Sequence, residues 1–369
     1  MRRPDIPVLT TLRFPAAFAV MLYHFCPKTA CPHWVWGGLA SGVSFFYVLS
    51  GFILYYNYND LPDRGVFWMA RLARVWPLHL ATLVLAVCLL PLPELDGRMA
   101  WPLTLPLNIV LFQAWVPSHV VATSWNGVAW SLSVEGFFYA AFPWLLAAVT
   151  KRGPVAVLTG SFLAGLFLVV ATTFLFPARA GAMASFNPIC RVAEFVLGMV
   201  TCQLWIRERA SSADNRWLLR ELAVLILALG AVVGIPQILQ GLHVDSALTY
   251  WLGTDVDALC FALVIWIFAH QQGAFSRFFS ARAFEWFGEI SFAFYMCHQL
   301  FIRKLFPDSF SSPWEAWRSL GLLVAVTLAV SAALFHFVET PARKAILSAY
   351  KSYRRRVSMV KTSEAVNEG

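Results

Sequence analysis

Ten mostly apolar stretches run through the chain, at 8–26, 41–58, 74–92, 128–149, 154–176, 188–206, 219–240, 250–270, 286–306 and 318–338. A helix needs ~20 such residues to cross the hydrocarbon core of a bilayer. Within that core only a helix or a closed barrel satisfies its own backbone, and runs this long without alternation are helical. The expected fold class is therefore all-α: a polytopic membrane bundle of about 10 transmembrane helices. Composition agrees. Hydrophobic residues are 59% of the chain, charged residues 13%, and mean hydropathy is +0.65. A soluble domain averages ~45–50% apolar and ~25% charged, so a cytosolic enzyme, a disordered chain and a disulfide scaffold are excluded.

The seven cysteines show no CxxC and no metal-ligand spacing, and no metal site is expected. Cys26 and Cys31 flank a turn at Pro27 and are placed to form a disulfide if that turn faces an oxidising compartment. Arg13 and His24 interrupt the first apolar run, so no cleavable signal peptide is expected.

The formal charge of +8, from 28 basic and 20 acidic residues, would suggest nucleic acid in a soluble chain. Here it is topological. With the N-terminus inside, 20 of the 28 basic residues fall in cytoplasmic segments, as the positive-inside rule requires. An eleventh apolar stretch, 102–115, carries Pro102, Pro106 and Asn108. If it crossed, the basic clusters at 207–220 and 277–282 would face outward. It is therefore read as a re-entrant or interfacial segment, which leaves both termini cytoplasmic. Residues 1–344 form one membrane domain and 345–369 a basic tail. Arg354, Arg355 and Arg356 in that tail either meet anionic headgroups or simply fix topology. Pro341 is expected to stop the last helix.

The ionisable residues inside spans mark sites or buried pairs. Arg13 and His24 are eleven residues apart, which puts them on one helix face, ~16 Å apart along the axis. One offers a permanent cation, the other a base that titrates near neutrality. Ser50-Gly51, in an aromatic helix, permits close approach of a second helix or a ligand. Arg71 and Arg74 share a face at the cytoplasmic mouth and suit phosphates, or serve as ordinary anchors. Glu135 lies at a depth similar to His24 and is expected to orient it; a buried pair with an arginine is the alternative. Arg191 and Glu194 read as a local ion pair. Ser291, Tyr295 and His298 share one face, and His298 is a second candidate for substrate binding or a hydrogen-bonded core residue.

Together these segments resemble the integral-membrane acyltransferases called acyltransferase family 3, which include O-acetyltransferases of O-antigen, exopolysaccharide and Nod factors. The resemblance rests on Arg13 and His24, Phe45-Phe-Tyr-Val-Leu-Ser-Gly-Phe52, Arg71-Leu-Ala-Arg74, Trp130-Ser-Leu-Ser-Val-Glu135, Arg191-Val-Ala-Glu194, Ile290-Ser-Phe-Ala-Phe-Tyr-Met-Cys-His298 and Val338-Glu-Thr-Pro-Ala-Arg343-Lys344, in family order over about 8–344. It implies a multi-pass bacterial inner-membrane enzyme. That enzyme would move an acyl group, usually acetyl, from cytoplasmic acyl-CoA to a hydroxyl of a carbohydrate such as a surface polysaccharide or lipid-linked glycan. It also implies that Arg13 and His24 are essential and that Arg71 and Arg74 belong to the active machinery. The extracytoplasmic esterase-like domain of some relatives is not expected here.

The residues themselves fit that chemistry. His24, Glu135 and Arg13 are the catalytic candidates. Arg71, Arg74 and Arg13 are candidates for acyl-CoA, a co-substrate rather than a resident cofactor. Ser50, Tyr295 and His298 are candidates for the acceptor. Whether His24 acts as base or acyl carrier stays open at this level, as does oligomeric state. The competing readings are a transporter or flippase using the same intramembrane charges, and an acyltransferase with a non-carbohydrate acceptor. The first is disfavoured because the chain shows no internal repeat.

Overall fold

A computed structural model describes residues 4–26, 29, 37–60, 63–95, 97–208, 216–241, 246–307 and 309–367. The Cys26–Cys31 pairing falls outside the described residues. Among them, nine helical segments are long and apolar enough to cross a membrane. The fold is an all-α polytopic membrane bundle.

The first span is broken at Leu12 into α1 (Pro7–Thr11) and α2 (Arg13–Phe25). Helix α3 (Gly42–Tyr58) returns, and α4 (Arg64–Leu89) follows. Helix α4 begins ten residues before the apolar stretch at 74, because Asp63 caps it by accepting from the Val66 N–H at 3.0 Å. Arg71 and Arg74 therefore sit inside the helix. A two-residue hairpin, β1 (Glu94–Leu95) against β2 (Arg98–Met99), is the whole strand content among the described residues.

The stretch 102–115 folds as α5 (Trp101–Ile109), a turn with Leu111 at φ 57° and a short 3-10 turn at Gln113–Trp115. Nine residues reach only ~14 Å, too short to cross the core. Buried bonds hold the segment in place. The Asn108 amide donates to Ser124 Oγ at 2.8 Å, the Asn108 carbonyl meets His79 Nε2 at 2.7 Å, and the Trp125 indole donates to Thr104 Oγ1 at 3.1 Å.

After α6 (His119–Ala122) come α7 (Trp130–Arg152), α8 (Pro154–Leu175), α9 (Pro177–Phe186), α10 (Pro188–Glu208), α11 (Trp217–Gly241) and α12 (Ser246–Ala269). The short α13 (Ala274–Phe279) precedes α14 (Arg282–Leu305). Helix α14 is long enough to span at 24 residues but is too polar to join the nine. Two of its polar residues, Ser291 and His298, are fully buried against protein.

Helix α15 (Pro313–Leu334) does not end at Pro341. It passes through one π-turn, Phe335–Glu339, into α16 (Thr340–Asn367). The wider turn absorbs the hydrogen bond that Pro341 cannot make, so the expected stop becomes a register shift instead. Helix α16 packs on α4. There Arg354 bonds Asp63 at 2.7 Å, and the Val66 N–H with Arg354 holds that carboxyl below the usual carboxylate range.

The centre of the bundle is the α3–α10 crossing. A Cβ on Gly51 would fall 1.9 Å from the Phe195 carbonyl oxygen, and one on Gly198 would fall 1.9 Å from that of Val48. Each helix thus needs the other's glycine, the small-residue packing that membrane helices use. Gly51 serves the helix contact and leaves Ser50, its neighbour, to face a cavity. The Arg191–Glu194 pair forms as spaced, at 2.8 Å, with Arg191 also donating to Ser44 Oγ at 3.1 Å.

Candidate active site

A cavity of about 650 Å³ opens between α1–α4, α7, α14 and α16. Four arginines line it: Arg13, Arg71, Arg74 and Arg343. So do Ser50, Glu135, Tyr58, Tyr139 and Tyr295. The helix breaks explain part of this gathering. Arg13 starts α2 where α1 ends, so its side chain enters the cavity rather than continuing a regular stripe.

Each arginine is held differently. Arg71 donates to the Tyr58 hydroxyl at 3.2 Å and lies over the Tyr58 and Tyr139 rings at 5.4 and 5.9 Å. That fixes its plane without neutralising its charge. Arg74 is paired with Glu339 at 3.0 Å, and Glu339 is 1% exposed. Arg13 and Arg343 make no ion pair within the described residues. A cavity lined by arginines, two of which make no ion pair among the described residues, suits an anion with several acceptor oxygens.

Glu135 does not orient His24. Its Oε1 accepts from Ser50 Oγ at 3.3 Å and from the Tyr139 hydroxyl in a short bond. The reason is tertiary. Helix α2 packs on α14 and α3, so the nearest polar neighbour of His24 comes from α14.

That neighbour is His298. His24 Nδ1 lies 2.9 Å from the Val20 carbonyl oxygen and 3.1 Å from His298 Nε2. A carbonyl only accepts, so Nδ1 carries the proton in the neutral ring. The lone pair of His24 then resides on Nε2, and that of His298 on the Nε2 facing His24. The sequence offers His298 either for substrate binding or as a hydrogen-bonded core residue; in the structure it is buried and bonded to His24.

The two halves of the site meet at Tyr295. Its ring closes the cavity, with the hydroxyl 2.9 Å from Ser131 Oγ and Phe46 edge-on at 5.8 Å. Behind it the His298 ring lies 5.7 Å away. The cavity thus runs from an arginine-lined mouth to a tyrosine one residue-width short of the histidine pair. Sequence reasoning missed Glu339, Arg343, Tyr58 and Tyr139. Glu339 and Arg343 were visible as a carboxylate and a guanidinium four apart, but Pro341 made the segment read as a helix end.

The family profile described as an acyltransferase domain matches residues 6–336. The chain belongs to this acyltransferase family. Acyltransferase MdmB of Streptomyces mycarofaciens is 31% identical over 81% of this chain and 79% of its own. Peptidoglycan O-acetyltransferase OatA of Listeria monocytogenes is 25% identical over 93% of this chain, and O-acetyltransferase OatA of Staphylococcus aureus 23% identical over 92%. This chain spans only 56% and 57% of those two longer relatives. No solved structure matches the chain. As a membrane acyltransferase, the protein has to bring an acyl donor to a base, and the cavity and the histidine pair are the candidates for those two tasks.

Proposed function

We propose that this acyltransferase moves an acetyl group from cytoplasmic acetyl-CoA to a hydroxyl of a carbohydrate acceptor on the opposite side of the membrane. The observation that carries the reading is the closeness of the arginine-lined cavity to the His24–His298 pair, with only Tyr295, whose ring is 5.7 Å from that of His298, between them. The pantetheine arm is about as long as five extended residues, ~16–18 Å. Arg13 and His24 are separated by ~16 Å along the axis. A thioester at His24 therefore leaves the pyrophosphate near Arg13, Arg71 and Arg74. The acceptor class is supported by the named peptidoglycan substrate of the Listeria relative.

In this mechanism His24 Nε2 takes the proton of the acceptor hydroxyl as its oxygen attacks the thioester carbonyl. The carbon–sulfur bond breaks, and the departing CoA thiolate is protonated from His24. The Val20 carbonyl and His298 hold the imidazole in the required tautomer throughout. Arg13 is the nearest guanidinium to the donor arm, and the Ser50–Glu135–Tyr139 chain lines its path. Tyr295 has to move aside for the thioester to pass, a motion of one side chain between packed helices.

Membranes containing the protein, given labelled acetyl-CoA and glycan, are expected to yield base-labile label on the glycan. Arg71→Lys and Arg74→Lys are expected to raise the donor KM about tenfold or more, because a lysine replaces a two-point contact by one. An unchanged donor KM in both variants counts against the phosphate role. Label that stays in the donor fraction with every hydroxyl acceptor counts against acyl transfer to carbohydrate.

A further inference from the structure

Arg343 lies four residues beyond Glu339, about one turn and ~6 Å farther from the histidines. It lines the mouth of the cavity and makes no ion pair among the described residues. Glu339, one turn earlier, bonds Arg74 through one carboxylate oxygen at 3.0 Å. Asp5 of the N-terminal segment also lines the cavity.

We propose that Arg343 binds the 3′-phosphate of coenzyme A and makes the enzyme discriminate CoA from carriers that lack it. The proposal rests on the acyl-CoA reading of the cavity. It follows from the order of the phosphates along the ligand. With the pyrophosphate at Arg71 and Arg74, the 3′-phosphate lies one ribose farther out, where Arg343 is the cation that lines the cavity. That group is a phosphomonoester. It carries close to two negative charges at neutral pH and three acceptor oxygens, and a guanidinium meets two of them at once. Glu339 has a positioning part in the same arrangement. It restrains Arg74, and the π-turn that carries it sets the face on which Arg343 emerges.

The test is equilibrium binding of CoA and of 3′-dephospho-CoA to the full chain in detergent, for wild type, Arg343→Gln and Arg343→Lys. Wild type is expected to bind CoA roughly tenfold or more tightly than dephospho-CoA, the usual worth of a charge-assisted contact. Arg343→Gln is expected to bind CoA as weakly as dephospho-CoA, with dephospho-CoA affinity unchanged, and Arg343→Lys to keep part of the preference. The ratio is taken within one preparation, so a smaller folded fraction does not alter it. A full preference retained in Arg343→Gln overturns the assignment. Wild type binding both ligands equally overturns it while leaving the acyl-CoA reading intact. Wild type binding neither ligand overturns both.

Discussion

Membranes carrying His24→Ala are expected to contain normal amounts of inserted protein and to transfer no measurable acyl group. His24 is half-buried at the end of α2 and, among the described residues, its ring bonds to its own helix and to His298. Its loss removes little packing but removes the base. General-base catalysis contributes on the order of 10²–10⁴ in rate, enough to drop transfer below detection. His298→Ala is expected to cost less, about tenfold, because Val20 still holds the tautomer. Binding of CoA, read at the arginine end, is expected to be unchanged in both variants. Retained transfer in His24→Ala would sink the mechanism. Loss of CoA binding in it would show that the histidine is structural.

The second large effect is on stability, and it lies away from the chemistry. Arg191 is 1% exposed, pairs with Glu194 at 2.8 Å, donates to Ser44 at 3.1 Å and lies over the Tyr47 ring at 5.4 Å. Arg191→Met leaves the Glu194 carboxylate buried without its cation. Breaking such a pair costs about 3–5 kcal/mol. Thermal unfolding of the detergent-solubilised protein is expected to show a large fall in Tm for the single variant. Arg191→Met with Glu194→Leu is expected to recover most of it, since removing both partners leaves no orphaned charge. Equal losses in the single and double variants would mean that Arg191 acts through packing rather than through its charge.

The sequence made the charges conspicuous and left their partners hidden. Arg13 stands out because lipid should exclude it, Arg71 and Arg74 because they share a helix face at the inner mouth, and the structure brings all three to one cavity. The Arg191–Glu194 pair was legible because its spacing is local. The partner of His24 was not, because it depends on which helix packs against α2. Comparable depth along the membrane normal made Glu135 look like the natural orienter, yet depth says nothing about which way a side chain points. The stretch 102–115 was legible in its prolines and in the charge of the later loops. The π-turn at Phe335–Glu339 was not: a proline after an apolar run is the ordinary sign of a helix end, and only tertiary packing on α4 shows that α16 continues.

The central claim is that the arginine-lined cavity opens to the cytoplasm and holds the acyl-CoA donor. Asn57 lines the cavity and is exposed, and among the described residues its amide bonds Ile53 of its own helix. Asn57→Cys, in a chain whose native cysteines are replaced, gives a reporter for a membrane-impermeant maleimide. Labelling is expected in inside-out vesicles and absent in right-side-out ones, and saturating CoA is expected to block it. Labelling from the outer side, or labelling at an unchanged rate in the presence of CoA, would contradict the account.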